Sequence, residues 1–216
     1  MSQLVPLLLD ATVETLYMVG VAGVVSLLLG VPLGVALVAS GPGGLRPQPL
    51  ANRVLGTFVN IGRSLPFIIL LIALIPFTRL VVGTSLGSTA AIVPLAVGAI
   101  PFYARLVETA LAEVHPGKLE AALAMGASDR QVIAKVLLPE ALPSLVAGLT
   151  VTLIALVGYS AMAGVVGGGG LGDVAIRFGY QRFRGDVMLA TIVLLVVVVQ
   201  LLQVVGDLLV RRLRRH

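Results

Sequence analysis

The 216-residue chain has no cysteine, so disulfides, thiolate metal sites and cysteine nucleophiles are excluded at once. It has only two histidines, His115 and the terminal His216. Charge is scarce as well: Asp, Glu, Lys and Arg make up 12% of the residues, against roughly 25% in an ordinary soluble domain. Hydrophobic residues reach 58% and the mean hydropathy is +1.07. A water-soluble globule of 22.3 kDa needs polar residues to cover its shell, and a disordered chain shows the opposite signature of low hydrophobicity and high charge. Both classes are excluded, and the chain is expected in a bilayer. Its start, MSQLVPLLLD, lacks the basic n-region of a cleaved signal peptide.

What the chain does have is five long apolar runs, near 12–39, 55–76, 90–111, 142–166 and 187–210. About 20 apolar residues span a bilayer as a helix, and none of the runs alternates with period two, so helices are expected rather than barrel strands. The fold class expected is an all-α membrane protein with five transmembrane helices. Gly30-Val31-Pro32 should kink or tilt the first. Gly20, Gly23, Gly30 and Gly34 suit close helix packing.

Basic residues set the expected orientation. Arg79, Arg177, Arg182 and Arg184 fall on one side of the five spans. Nine fall on the other, from Arg46 and Arg53 through Lys118, Arg130 and Lys135 to Arg211, Arg212, Arg214 and Arg215. The richer side is expected to be cytoplasmic. That gives an extracytoplasmic N-terminal stub (1–11), a membrane domain (12–210) and a basic cytoplasmic tail (211–216). Excess positive charge in such a chain points to orientation and lipid contact rather than nucleic acid.

The long loop 114–139 on the basic side carries the most information. Pro116 suits a first helical position and Gly126 the left-handed residue after a last turn. Ser128 and Gln131 have capping-box spacing for a second helix, which Pro139 is expected to stop. Leu119, Ala122, Leu123 and Met125 give the first helix a small apolar face. The second has Val132, Ile133, Val136 and Leu137 against Arg130 and Lys135. Two such helices could lie among lipid headgroups or act as a lever docked in the groove of a partner.

The loop resembles the EAA loop of ABC-importer permeases: Glu-Ala-Ala, three residues, Gly, nine residues, Ile, one residue, Leu-Pro. This chain has Glu120-Ala121-Ala122, Gly126, Val136 in the Ile place, and Leu138-Pro139. Further stretches are similar to permease subunits of bacterial methionine importers: the run 60–71 beginning Asn60-Ile61-Gly62-Arg63-Ser64-Leu65-Pro66, then 75–79, 82–85 and Val157-Gly158-Tyr159-Ser160-Ala161-Met162. The resemblance covers about residues 11–210. It implies a five-helix permease that pairs with a second copy, its two short loop helices serving as coupling helices. It also implies a homodimer of ATPase subunits, which would hold ATP and magnesium, an extracytoplasmic substrate-binding lipoprotein, and a place in the bacterial inner membrane. The substrate implied is methionine, of either L or D form. A permease for another small amino acid and a proton-coupled secondary transporter are the alternatives.

Other constellations are weaker. Gly167 to Gly172 matches the spacing of a dinucleotide fingerprint, but it ends a span and lacks the flanking βαβ context, so a flexible extracytoplasmic hinge is expected. No phosphate-binding loop ending Gly-Lys-Ser/Thr occurs, and no cofactor is expected on this chain. Arg105 and Glu108, three apart, either neutralise each other or relay protons. Arg63 is expected near the basic-side end of its span, where its side chain would snorkel. Gln200, Gln203 and Asp207 are expected to bond between helices. There is no Ser/His/Asp or paired-carboxylate arrangement, so no catalytic site is expected. Tyr159, Ser160 and Met162 are the candidate lining of a path, with Asn60 a further candidate; ordinary packing is the other reading. The topology predicts that a cysteine introduced at Ser2 reacts with impermeant thiol reagents from the extracytoplasmic side. Labelling from the cytoplasmic side alone would overturn it.

Overall fold

The computed structural model describes residues 4–214; Ser2, Arg215 and His216 lie outside the described residues. Helix α1 (Leu4–Ser40) starts eight residues before the expected span, because Leu4, Val5 and Leu7–Leu9 extend the apolar run. It passes through Pro32 without ending. At about 1.5 Å per residue, its 37 residues exceed what a bilayer requires. Helix α5 (Ser88–Ala112) matches the third run, and α10 (Gly185–Leu213) the fifth, with Arg211 and Arg212 in its last turn near the C-terminal carbonyls.

The second run differs from expectation. It forms α2 (Pro49–Ser64), α3 (Phe67–Ala73) and α4 (Ile75–Val82), and the axes of α2 and α3 meet at 102°. Pro66 causes the break: a residue before proline is pushed out of the helical region, and Leu65 is extended at φ −81°, ψ 127°. Among the described residues, four helices are therefore long and apolar enough to cross a membrane unbroken, and the bent pair makes five if it counts as one span.

Loop 114–139 also departs from expectation at its second half. Helix α6 (Pro116–Ala124) is a separate short helix. Helix α7 (Asp129–Val132) is not stopped by Pro139; it continues through a π turn (Ile133–Leu137) into α8 (Leu138–Gly164), giving 36 helical residues from Asp129 to Gly164. Pro139 has no N–H to leave unpaired, and the wider turn lets the Leu138 N–H reach the Ile133 carbonyl.

The glycine run is not a free hinge. It turns the chain into α9 (Gly170–Val174) and a second π turn (Ala175–Tyr180), with Gly167, Gly169 and Gly170 at positive φ. The Gly170 N–H donates to the Glu14 carboxylate at 2.7 Å, and the Leu171 N–H to Thr15 Oγ1 at 2.9 Å. Gly172 packs so closely on Ala161 that a Cβ would lie 2.4 Å from its carbonyl oxygen. Glycine here permits contact between backbones rather than motion.

Helix α5 is the centre of the bundle, touching α1, α2, α3, α4 and α8. Small residues set its distance from α1: a Cβ at Gly30 would meet Tyr103 at 2.9 Å, and one at Gly34 would meet Val107 at 2.5 Å and the Ala104 carbonyl oxygen at 2.8 Å. Gly23 meets Leu153 of α8 in the same way, whereas Gly20 faces open space and plays no packing part. Two apolar clusters follow, one around Met18, Leu95 and Leu156, the other around Tyr103, Val107 and Leu145. On the α1–α5 seam, Gly34→Val should cost about 1–3 kcal/mol through overpacking, read as a fall of several degrees in the unfolding midpoint in detergent. Gly20→Val should leave the midpoint unchanged.

Candidate functional site

At the basic end of the bundle, the turn between α6 and α7 is built from local caps. His115 precedes α6 and its Nδ1 accepts the Gly117 N–H at 3.1 Å, with Pro116 opening the helix. At the other end Gly126 takes φ +83°. Its N–H donates to the Leu123 carbonyl at 2.9 Å, and the Ala127 N–H donates to the Ala122 carbonyl at 3.1 Å. This crossed pair is the Schellman ending that glycine favours. The Ser128 N–H then donates to Gln131 Oε1 at 2.8 Å, starting α7.

The expected apolar face of α6 divides in two. Leu119 packs beneath the helix and Ala122 is buried. Leu123 is 43% exposed and Met125 83% exposed. Glu120 and Ala121 are exposed beside them. In α7 and the π turn, Val132 and Leu137 are buried, Val136 and Leu138 half-buried, and Pro139 exposed. The motif therefore holds its shape from below and presents an acidic and apolar surface outward.

Two ion pairs fix this platform, and the sequence gives no local signal for either. Arg46, in the turn after α1, pairs with Asp129 at the start of α7. Lys118 pairs with Glu140 at 2.6 Å, joining α6 to the base of α8. The Arg46 turn is itself tied to α1, since the Arg46 N–H donates to the Ala39 carbonyl at 2.9 Å. Solvated pairs of this kind contribute about 0–1 kcal/mol each; their effect is to set orientation.

Within the membrane-spanning part, Arg105 and Glu108 close on each other at 2.6 Å. Gln203 Nε2 donates to Asp207 Oδ1 at 2.9 Å along α10, so that bond lies within one helix rather than between helices. Gln200 is exposed. Arg63 is in the last turn of α2 beside the break, not at the basic end of a span; the early start of α2 at Pro49 moved it there.

The structure separates the path candidates. The Tyr159 ring stacks on Phe67 with centroids 4.7 Å apart and planes within 9°, tying α8 to α3. Met162, one turn on, is 48% exposed. Ser160 is buried, and its hydroxyl donates to the Val157 carbonyl at 2.8 Å. Asn60 is exposed on α2, far from Ser160 in sequence. A groove of about 300 Å³ lies between Gly158 and Ala161 of α8 and Val196 and Gln200 of α10, and none of the four candidates lines it.

The family model described as binding-protein-dependent transport system inner membrane component covers residues 17–215. The chain belongs to this family. A relative from Vibrio cholerae named probable D-methionine transport system permease protein MetI is 59% identical over 206 residues, spanning 95% of this chain and 92% of that one. A Bacillus subtilis relative named methionine import system permease protein MetP is 46% identical over 200 residues, 93% and 90% of the two chains. A solved structure described as inward facing conformations of the MetNI methionine ABC transporter superposes at TM-score 0.97 with 50% identity, covering 99% of each chain. A crystal structure of an amino acid ABC transporter, at 20% identity and TM-score 0.80 over 98% and 96% of the chains, shares the fold.

For an inner membrane transport component, the exposed Met162 side chain generates a prediction. Met162→Ala should alter uptake, or the leak of small solutes from reconstituted vesicles, with assembly intact. Unchanged transport in assembled complexes would assign Met162 to packing.

Proposed function

We propose that this chain is the membrane permease of an ATP-driven ABC importer that carries methionine, in L or D form, into the cytoplasm. The observation that carries the reading is the α6–Gly126–α7 platform, capped at every turn and continuous with α8. The names of the relatives supply the substrate class. Two copies would enclose the path. Two ATPase subunits would dock on Glu120, Leu123 and Met125, holding ATP and magnesium themselves, and an extracytoplasmic lipoprotein would deliver the solute. The basic end would face the cytoplasm, in the bacterial inner membrane, with lipid around the bundle.

Movement follows from the shape. A push on α7, to which α6 is packed, tilts α8, because no break separates α7 from Tyr159 and Met162. Closure of the ATPase pair would thus open the path outward, and its release inward. The Arg105–Glu108 ion pair, closed at 2.6 Å, fits mutual neutralisation better than a proton relay.

Gly126 offers the decisive test. No heavy atom lies within 4 Å of a Cβ built there, so a substitution strains only the backbone. A β-branched residue resists positive φ, whereas asparagine tolerates it. Gly126→Val should abolish ATP-dependent methionine uptake by misdirecting α7 and weakening ATPase docking, while the permease still inserts. Gly126→Asn should retain both, and Glu120→Ala should impair coupling mildly. The measurements are ATPase retention on the purified permease and uptake in vesicles. Full uptake by Gly126→Val removes the coupling role; uptake without any ATPase that follows a proton gradient favours a secondary transporter.

A further inference from the structure

The depth of Arg63 can be read from its neighbours. A Cβ at Gly62 would lie 2.8 Å from Pro101 Cγ. One turn earlier Val59 packs with Ala104, and past the break Phe67 and Leu70 reach Gly98. The chain thus climbs along α5, and position 63 falls level with Pro101. Pro101 is 13 positions from Ser88 and 11 from Ala112, the two ends of α5. At 1.5 Å per residue that is about 20 Å and 17 Å, the middle of the span.

Arg63 is exposed there, and it is in none of the ion pairs among the described residues. Its guanidinium is a cation that offers five N–H donors and no acceptor. From mid-depth it faces roughly 15 Å of hydrocarbon in either direction, too far for its side chain to snorkel out. A charged side chain in such a place faces a water-filled cavity or the interior of the assembly rather than lipid tails. Asn60 lies three positions earlier on the same exposed face. Its backbone carbonyl accepts from Ser64 Oγ at 2.7 Å, and its side-chain amide is in none of the hydrogen bonds found among the described residues. The 102° bend follows at once, and broken helices at mid-depth are where transporters hold solutes. Past the bend stands the apolar Phe67–Tyr159 stack.

We propose that Arg63 and Asn60 form a carboxylate-binding site for the transported amino acid, midway along the path. The guanidinium fork takes both carboxylate oxygens, and the Asn60 amide donates alongside. The site rests on the amino-acid importer reading above.

The test uses the permease assembled with its ATPase and binding protein in vesicles. Methionine uptake per ATP hydrolysed is compared for wild type, Arg63→Gln and Arg63→Lys. Because the chain has no cysteine of its own, Arg63→Cys and Asn60→Cys are also exposed to an anionic impermeant thiol reagent, with and without methionine. Arg63→Gln should lower the ratio about tenfold or more, as expected for losing a charge-assisted bond to the solute, with Arg63→Lys between. Both cysteines should react, and methionine should protect them. Wild-type uptake by Arg63→Gln, or cysteines that never react, would place Arg63 outside the path and overturn the proposal. Should Arg63→Gln fail to assemble, Asn60→Cys keeps the guanidinium and decides by reactivity and protection. If the wild type imports no methionine while a different amino acid protects both cysteines, the methionine reading fails and the carboxylate site stands.

Discussion

The close approach of α1 to α5 is the contact from which the rest of the bundle is positioned. Lipid tails are as apolar as Leu, so helices inside a bilayer gain little by hiding apolar surface from one another. They gain by packing closely, and Gly30 and Gly34 allow α1 to reach the backbone of α5 at Ala104. With that distance set, α5 becomes the post against which α2, α3, α4 and α8 are placed. The level of Arg63, the stack of Phe67 on Tyr159 and the foot of α8 all follow from it.

Two prolines show how one residue type yields opposite outcomes. Pro66 forces Leu65 out of the helix, and nothing rebuilds the ladder, so the chain turns through 102°. Pro139 lies beside a π turn that redirects the Leu138 N–H to Ile133, and the helix survives. Inside a membrane an unmatched backbone group is costly. A break is therefore tolerated where protein or water can serve the freed groups, and a continuous ladder is kept where a lever needs stiffness.

This contrast also marks how far the sequence could be read. Pro116, Gly126, Ser128 and Gln131 announced the two ends of the α6–α7 turn because a cap is a local event, settled within four residues. Apolar runs located α1, α5, α8 and α10 for a similar reason. Hydropathy carries no direction, however, so the bend after Ser64 was invisible and Arg63 was placed at the wrong depth. Pro139 read as a stop because the π turn that absorbs it has no composition of its own. The glycine run read as a hinge because glycine permits both freedom and tight contact; only Glu14 and Thr15, more than 150 positions away, decide which. Arg46–Asp129 and Phe67–Tyr159 are long-range in the same sense.

The continuity from Asp129 to Gly164 carries a consequence for how this chain can change over time. Each residue in a helix advances the azimuth by about 100°. One codon gained or lost between Asp129 and Tyr159 would swing Tyr159 away from Phe67, or turn α7 from its place beside α6. Substitutions along this rod can be absorbed singly, but its length cannot drift. The turns before α2 and after α4, at 41–48 and 83–87, are joined to their neighbours by side chains and short caps, and can take up an added residue. Length variation among descendants of this chain should therefore collect in those turns and at the termini, leaving the distance from Asp129 to Met162 as a fixed count.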